Sequence, residues 1–92
     1  MKFLEGLGIS EEAINSLEEA NIYDLRMNEE KITEIILFLK TIGIKNLDEL
    51  IIHELRILYM DLERIKKAFN IPEQAKIVDL INNDVIAIEE IL

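Results

Sequence analysis

Cysteine is absent from this 92-residue chain, which removes disulfides, thiolate catalysis and cysteine-based zinc sites together. Tryptophan is absent too, histidine occurs once, proline once and glycine three times. No apolar run approaches the ~20 residues of a membrane span; the longest, Ile35 to Leu39, covers about one helical turn. The opening Met1-Lys2-Phe3-Leu4-Glu5 meets a carboxylate too early for the apolar core of a signal peptide, so a soluble, cytoplasmic protein is expected. Cations are scarce as well. Ten Lys and Arg against nineteen Asp and Glu leave a formal charge of −9, which opposes phosphate-neutralising contact with nucleic acid and with anionic membranes. A basic protein partner suits that charge better.

What the chain has in quantity is aliphatic side chains. Half of its residues are hydrophobic while only 5% are aromatic, so Ile and Leu carry the core of one domain. A domain this small buries only ~60–65% of the surface its unfolded chain exposes, so some of that apolar load is expected on a partner face or a self-association face.

The hydrophobic spacing is helical throughout. Ser10 is placed to cap a helix from Glu11 with Ala13, Ile14, Leu17 and Ala20 inward. Asn28 precedes the longest helix, whose Ile32, Ile35, Ile36, Leu39 and Ile42 form one stripe ended by Gly43. Asn46 and Glu49 make a capping-box pattern ahead of Leu47, Leu50, Ile51 and Leu55. Asp61 starts a helix with Leu62, Ile65 and Phe69, ended by Asn70; Pro72 takes a first-turn position before Ile77, Val78 and Ile81. An all-α fold follows, with more than half of the residues helical and breaks near Gly8, Gly43 and Asn70. The expected core is Ile14, Leu17, Ile35, Ile36, Leu39, Leu50, Ile51, Leu58, Ile65, Phe69, Ile77 and Ile81.

An internal repeat runs through this pattern. Phe3-Leu4-Glu5-Gly6-Leu7-Gly8-Ile9 returns as Phe38-Leu39-Lys40-Thr41-Ile42-Gly43-Ile44, and more faintly as Ile65-Lys66-Lys67-Ala68-Phe69-Asn70-Ile71. Each copy leads into a helix and then a short apolar turn, at Ile22–Leu25, Leu55–Leu58 and Asp84–Ile86. Tandem helix–short helix–helix units of about 3–37, 38–64 and a partial 65–92 are expected, packed as a small solenoid-like bundle.

Tyr23 to Ile44 and His53 to Ile71 resemble the repeat of the mitochondrial transcription termination factor family. The residues concerned are Leu25, Glu30, Ile32, Phe38, Leu39, Ile42, Gly43 and Ile44, then Leu58, Glu63, Ile65, Phe69 and Ile71. The resemblance implies stacked helical units and a nucleic-acid-associated role. The proline that usually precedes the family's short turn is replaced here by Ile22 and Leu55, and the family's basic concave surface has only Arg64, Lys66 and Lys67 to stand for it. No binding residue of the family maps onto this chain.

Chemistry-bearing residues are few. His53 beside Glu54 is the one candidate general base, but the chain has no cysteine and both serines suit caps or surface positions, so no catalytic triad assembles. Carboxylate pairs at Glu11-Glu12, Glu18-Glu19, Glu29-Glu30, Asp48-Glu49 and Glu89-Glu90 fall mostly in first helical turns, where the helix dipole favours them. No calcium loop is present, and neither cofactor, metal nor small-molecule substrate is expected.

Tyr23 and Tyr59, at equivalent turns, are candidate partner anchors, with packing over those turns as the alternative. The final eight residues hold six apolar positions, so Val85, Ile88 and Leu92 are expected to face a partner or a second copy, unless this segment folds back as a cap. The leading expectation is a non-enzymatic, acidic protein-interaction module. A nucleic-acid-associated repeat protein follows from the resemblance, and an acidic inhibitor imitating nucleic acid follows from the charge.

Overall fold

The computed structural model describes all 92 residues as an all-α protein, 73% helical and without strands. Seven α-helices run in the order α1 (Lys2–Gly6), α2 (Glu11–Asn15), α3 (Glu19–Arg26), α4 (Glu29–Thr41), α5 (Leu47–His53), α6 (Leu62–Phe69) and α7 (Gln74–Asn83). Two 3-10 helices, Leu55–Tyr59 and Val85–Glu90, follow α5 and α7. No helix is long and apolar enough to cross a membrane.

Two glycines end helices in the same way. Gly8 (φ +95°) and Gly43 (φ +103°) take left-handed backbone that an L side chain resists. Ile9 N–H then returns to Leu4 O, and Ile44 N–H to Leu39 O, each at 3.0 Å. This 6→1 bond, with the Gly N–H bonding three residues back, closes the helix and turns the chain sharply. Asn70 does not copy it. Its φ is −85°, and the end of α6 is satisfied instead by the Gln74 side chain, whose Nε2 donates to Phe69 O at 2.7 Å.

Caps divide into those that form and those that are diverted. Ser10 Oγ accepts from Ala13 N–H at 3.2 Å, as its sequence position predicts. Asn28 and Asn46 stand at N-cap positions, yet neither side chain bonds its own helix. Asn28 Nδ2 donates backwards to Asp24 O at 2.8 Å, and Asn46 Nδ2 donates across the fold to Ile81 O at 2.7 Å. Asp61 also makes no side-chain cap bond, and Pro72 lies in the turn before α7 rather than in its first turn.

The helix expected from Glu11 through Ala20 is broken. Leu17 N–H bonds Ile14 O three residues back, Ser16 Oγ donates to Ala13 O, and α3 restarts at Glu19. Ala20 is consequently exposed, and the short turn expected at Ile22–Leu25 lies inside α3.

Twenty-two buried apolar residues form one cluster. Ten of the twelve expected core residues belong to it, while Leu17 and Ile77 are partly buried at its edge. Phe38 and Phe69 join α4 to α6 edge-to-face, centroids 6.2 Å apart. Polar side chains lock the loops onto this core. Asn82 Oδ1 accepts from Lys45 N–H at 2.8 Å while its Nδ2 donates to Gly43 O at 2.9 Å, so the end of α7 holds the α4–α5 turn by both sides of one amide. Ser10 N–H donates to Asp48 Oδ1 at 2.8 Å, fixing the start of α2 to the first turn of α5.

The C-terminal segment departs most from expectation. Val85 and Ile88 lie within the core cluster, Ala87, Ile91 and Leu92 are partly buried against it, and the 3-10 helix packs on both α5 and α7. A 3-10 helix repeats every three residues, which puts Val85, Ile88 and Ile91 on one inward row. The segment folds back on the core with Val85 and Ile88 buried, where outward-facing side chains were expected.

Candidate partner-binding site

The C-terminal end of α5 stands between two hollows. In the stripe Leu47, Leu50, Ile51, Glu54, the fourth inward place is taken by a carboxylate. Glu54 is only 7% exposed, the one charged residue among the buried set. The one cation within 4 Å is Arg56, whose Nε lies 3.4 Å from Glu54 Oε2. The same guanidinium reaches on to Glu89 Oε1 at 3.1 Å, tying the Leu55–Tyr59 helix to the C-terminal one.

Around these residues opens a cleft of about 550 Å³, walled by Glu49, His53 and Glu54 on one side and by Asp84, Ile86 and Glu89 on the other. Four carboxylates thus line the cleft beside one imidazole, and the Arg56 guanidinium bridges two of them. Glu49 lies on the outer part of α5, where its Oε2 pairs with His53 Nε2 at 3.4 Å. Asn46 belongs to the same wall, and its Oδ1 is buried with no donor, because its Nδ2 is committed to Ile81 O. Ile86 stands at the mouth, 57% exposed.

On the other side of His53 lies a groove of about 270 Å³ between the α2–α3 turn and the end of α5. Its apolar wall is Leu17, Ile51, Ile52 and Leu55, and its polar rim includes Glu18 and Asn21. Ile52 falls off the buried stripe of α5 and is 44% exposed. Ser16 shares this groove with His53, but its hydroxyl proton is directed to Ala13 O.

Tyr59 borders the same region. Its hydroxyl lies 3.0 Å from Asn21 Oδ1 and 3.4 Å from Asp24 Oδ2, and its ring is 45% exposed. Burial, then repulsion between the Asp24 carboxylate and a phenolate, then the hydrogen bond to Asp24, push Tyr59 above the usual tyrosine range. Tyr23, on the outer side of α3, is 65% exposed, with Met27 exposed one turn on.

The remaining sequence candidates lie elsewhere. Leu92 is partly buried against the core, and Val85 and Ile88 are inside it. Lys66 and Lys67 line an open depression beside Phe38 and Gln74, and Lys66 approaches Glu63 at 3.9 Å. The pairs Glu11-Glu12, Glu29-Glu30 and Asp48-Glu49 occupy first turns of α2, α4 and α5, and no three His, Asp or Glu side chains converge to hold a metal ion. Ile52 was not singled out from the sequence, and Glu54 and Glu89 were noted there only as the neighbour of His53 and as half of a carboxylate pair. A carboxylate in the fourth place of an apolar stripe, followed two residues later by an arginine, is the signal that marks Glu54. Compared with known proteins, the chain matches no family model, no curated protein and no solved structure.

Proposed function

We propose that this chain is a non-enzymatic, acidic helical module that binds another protein through the surface around the end of α5. What carries the proposal is the placement of two exposed isoleucines, Ile52 and Ile86, in neighbouring hollows that both include His53 or its cleft partners. An apolar side chain left in water beside charged neighbours is the usual composition of an anchor point with a polar rim. The Ser16 hydroxyl, the one nucleophile in the groove with His53, donates to Ala13 O, which argues in the same direction.

The module is proposed to consist of degenerate helix–short helix–helix units at about 3–37, 38–64 and a partial 65–92. Support comes from the matching bonds at Gly8 and Gly43 and from the 3-10 helices that follow α5 and α7, while the corresponding turn of the first unit lies inside α3. The nucleic-acid role implied by the family resemblance meets a net charge of −9, which repels phosphate.

The test is affinity capture from an extract of the encoding organism, comparing the native chain with an Ile52→Asp/Ile86→Asp double variant whose helical content is checked by circular dichroism. Proteins enriched by the native chain and lost with the variant are expected. Identical retained sets for both chains would refute the assignment of this surface.

A further inference from the structure

We propose that the element recognised at this surface is a basic amphipathic segment, which sets an aliphatic side chain against Ile52 and an Arg or Lys into the cleft of Glu49, Glu54 and Glu89; this rests on the interaction reading above.

Charge complementarity selects the occupant. The cleft is lined by Glu49, Glu54, Asp84 and Glu89, with His53 as the only other titratable group on its walls; Arg56 pairs with Glu54 and Glu89 from outside that lining. Glu54 is more than nine-tenths buried, so its charge is less screened by water than that of a surface carboxylate. Arg56 does not cancel this field: it is shared between Glu54 and Glu89, and Asp84 spends one oxygen on Ile86 N–H. A second cation entering the cleft meets Glu49, Glu89 and Asp84 at its open side, all on exposed residues.

A cation alone leaves the groove unused. Leu17, Ile52 and Leu55 face water across a hollow of about 270 Å³, a space on the scale of a single aliphatic side chain. Because His53 lines both hollows, the apolar and the basic side chains must leave the partner close together, as side chains one helical turn (~5.4 Å) apart do. An amphipathic helix presenting i, i+3 or i+4 neighbours meets this demand. A polyamine has the charge without the apolar group, and nucleic acid and anionic lipid carry the wrong sign.

The experiment uses the full, 15N-labelled chain and a synthetic 12-residue peptide of Ala, Leu and Arg, acetylated and amidated, with Leu and Arg one turn apart on one face. Amide shifts are expected at Ile52, His53, Glu54 and Glu89. Affinity is expected to fall at least tenfold when salt rises from 50 to 300 mM, as screening tightens. The same peptide with Glu for Arg should not bind, and with Ala for Leu it should bind about tenfold more weakly. Ile52→Asp and Glu89→Gln, both at exposed positions, should each weaken binding several-fold while leaving the helical spectrum unchanged.

Shifts confined to other surfaces, no shifts at all, or equal binding of the Ala-for-Leu peptide would overturn the proposal. Silence toward the peptide alongside variant-sensitive capture from the extract removes only this inference. Silence in both removes the interaction reading with it.

Discussion

Replacing Ile88 by alanine tests whether the C-terminal segment is a cap or a partner face. Ile88 has no exposed surface, and it sits on the row Val85, Ile88, Ile91 that the 3-10 helix turns toward α5 and α7. Truncating a fully buried aliphatic side chain costs ~2–5 kcal/mol, through lost transfer energy and the cavity left behind. A six-residue helix at the end of the chain relaxes more readily than a central one, which places Ile88→Ala near the lower part of that range, about 2–3 kcal/mol. A domain of this size holds roughly 5–14 kcal/mol in total. The substitution should therefore lower the urea midpoint by about 1–3 M at an m-value of ~1–2 kcal/mol/M, followed by the far-ultraviolet helical signal. Ile86→Ala, two residues away but exposed, should stay within ~0.5 kcal/mol of the native chain. If Ile88→Ala were equally silent, the segment would not be seated on the core, and the outward placement of Val85, Ile88 and Leu92 expected from composition would be restored.

Alanine at Gly43 should destabilise by roughly 1–2 kcal/mol, because φ is +103° there and the new Cβ meets Val78 Cγ1 at 3.4 Å. Alanine at Gly6, at the end of α1 with nothing within 4 Å of its Cβ, should instead stabilise by ~0.5–1 kcal/mol; thermal melts that rank the two variants the other way would contradict the helix-stop geometry. Tyr59 is raised above the ordinary tyrosine value of 10.0, so the folded state holds its proton more tightly than the unfolded chain. Its contribution is complete below pH ~10 and is lost as pH rises through the folded-state value. Urea titrations from pH 8 to 11 should show native stability falling toward that of Tyr59→Phe, and a constant difference between the two chains would refute the Asp24 coupling.

How much was legible depended on the period of each element. α4 is thirteen residues long, and its Ile32, Ile35, Ile36 and Leu39 declare one face at 3.6 residues per turn; all four are buried. Gly43 was legible because left-handed backbone has few other occupants. The short elements were harder. Val85, Ile88 and Ile91 repeat every three residues, so at a helical period of 3.6 the terminal segment carries more apolar side chains than one face can hide, whereas a 3-10 helix hides them. Polar caps misled for a different reason. Asn28 and Asn46 occupy the right places for capping, but each amide finds a carbonyl outside its helix, Asn28 in the last turn of α3 just before it and Asn46 far along the chain in α7, and the capping pattern looks only forward into its own helix.

The candidate site was hidden by the same locality. Its walls come from Leu17–Asn21, Asn46–Leu55 and Asn82–Glu89, three segments that meet only after the core has formed. Taken alone, Glu49 is a first-turn carboxylate explained by the helix dipole, and Glu89 is one more acid in an acidic chain. Glu54 changes what they mean. It interrupts an apolar stripe, lies more than nine-tenths buried, and pairs with Arg56, which also reaches Glu89, so the nearest cation is spent on two of the cleft's own carboxylates. Burying a carboxylate costs stability that an apolar side chain in that place would not cost, and a half-exposed arginine returns only part of it. The arrangement holds a negative cleft open beside an exposed isoleucine, and a basic amphipathic partner is the ligand whose binding would offset the cost.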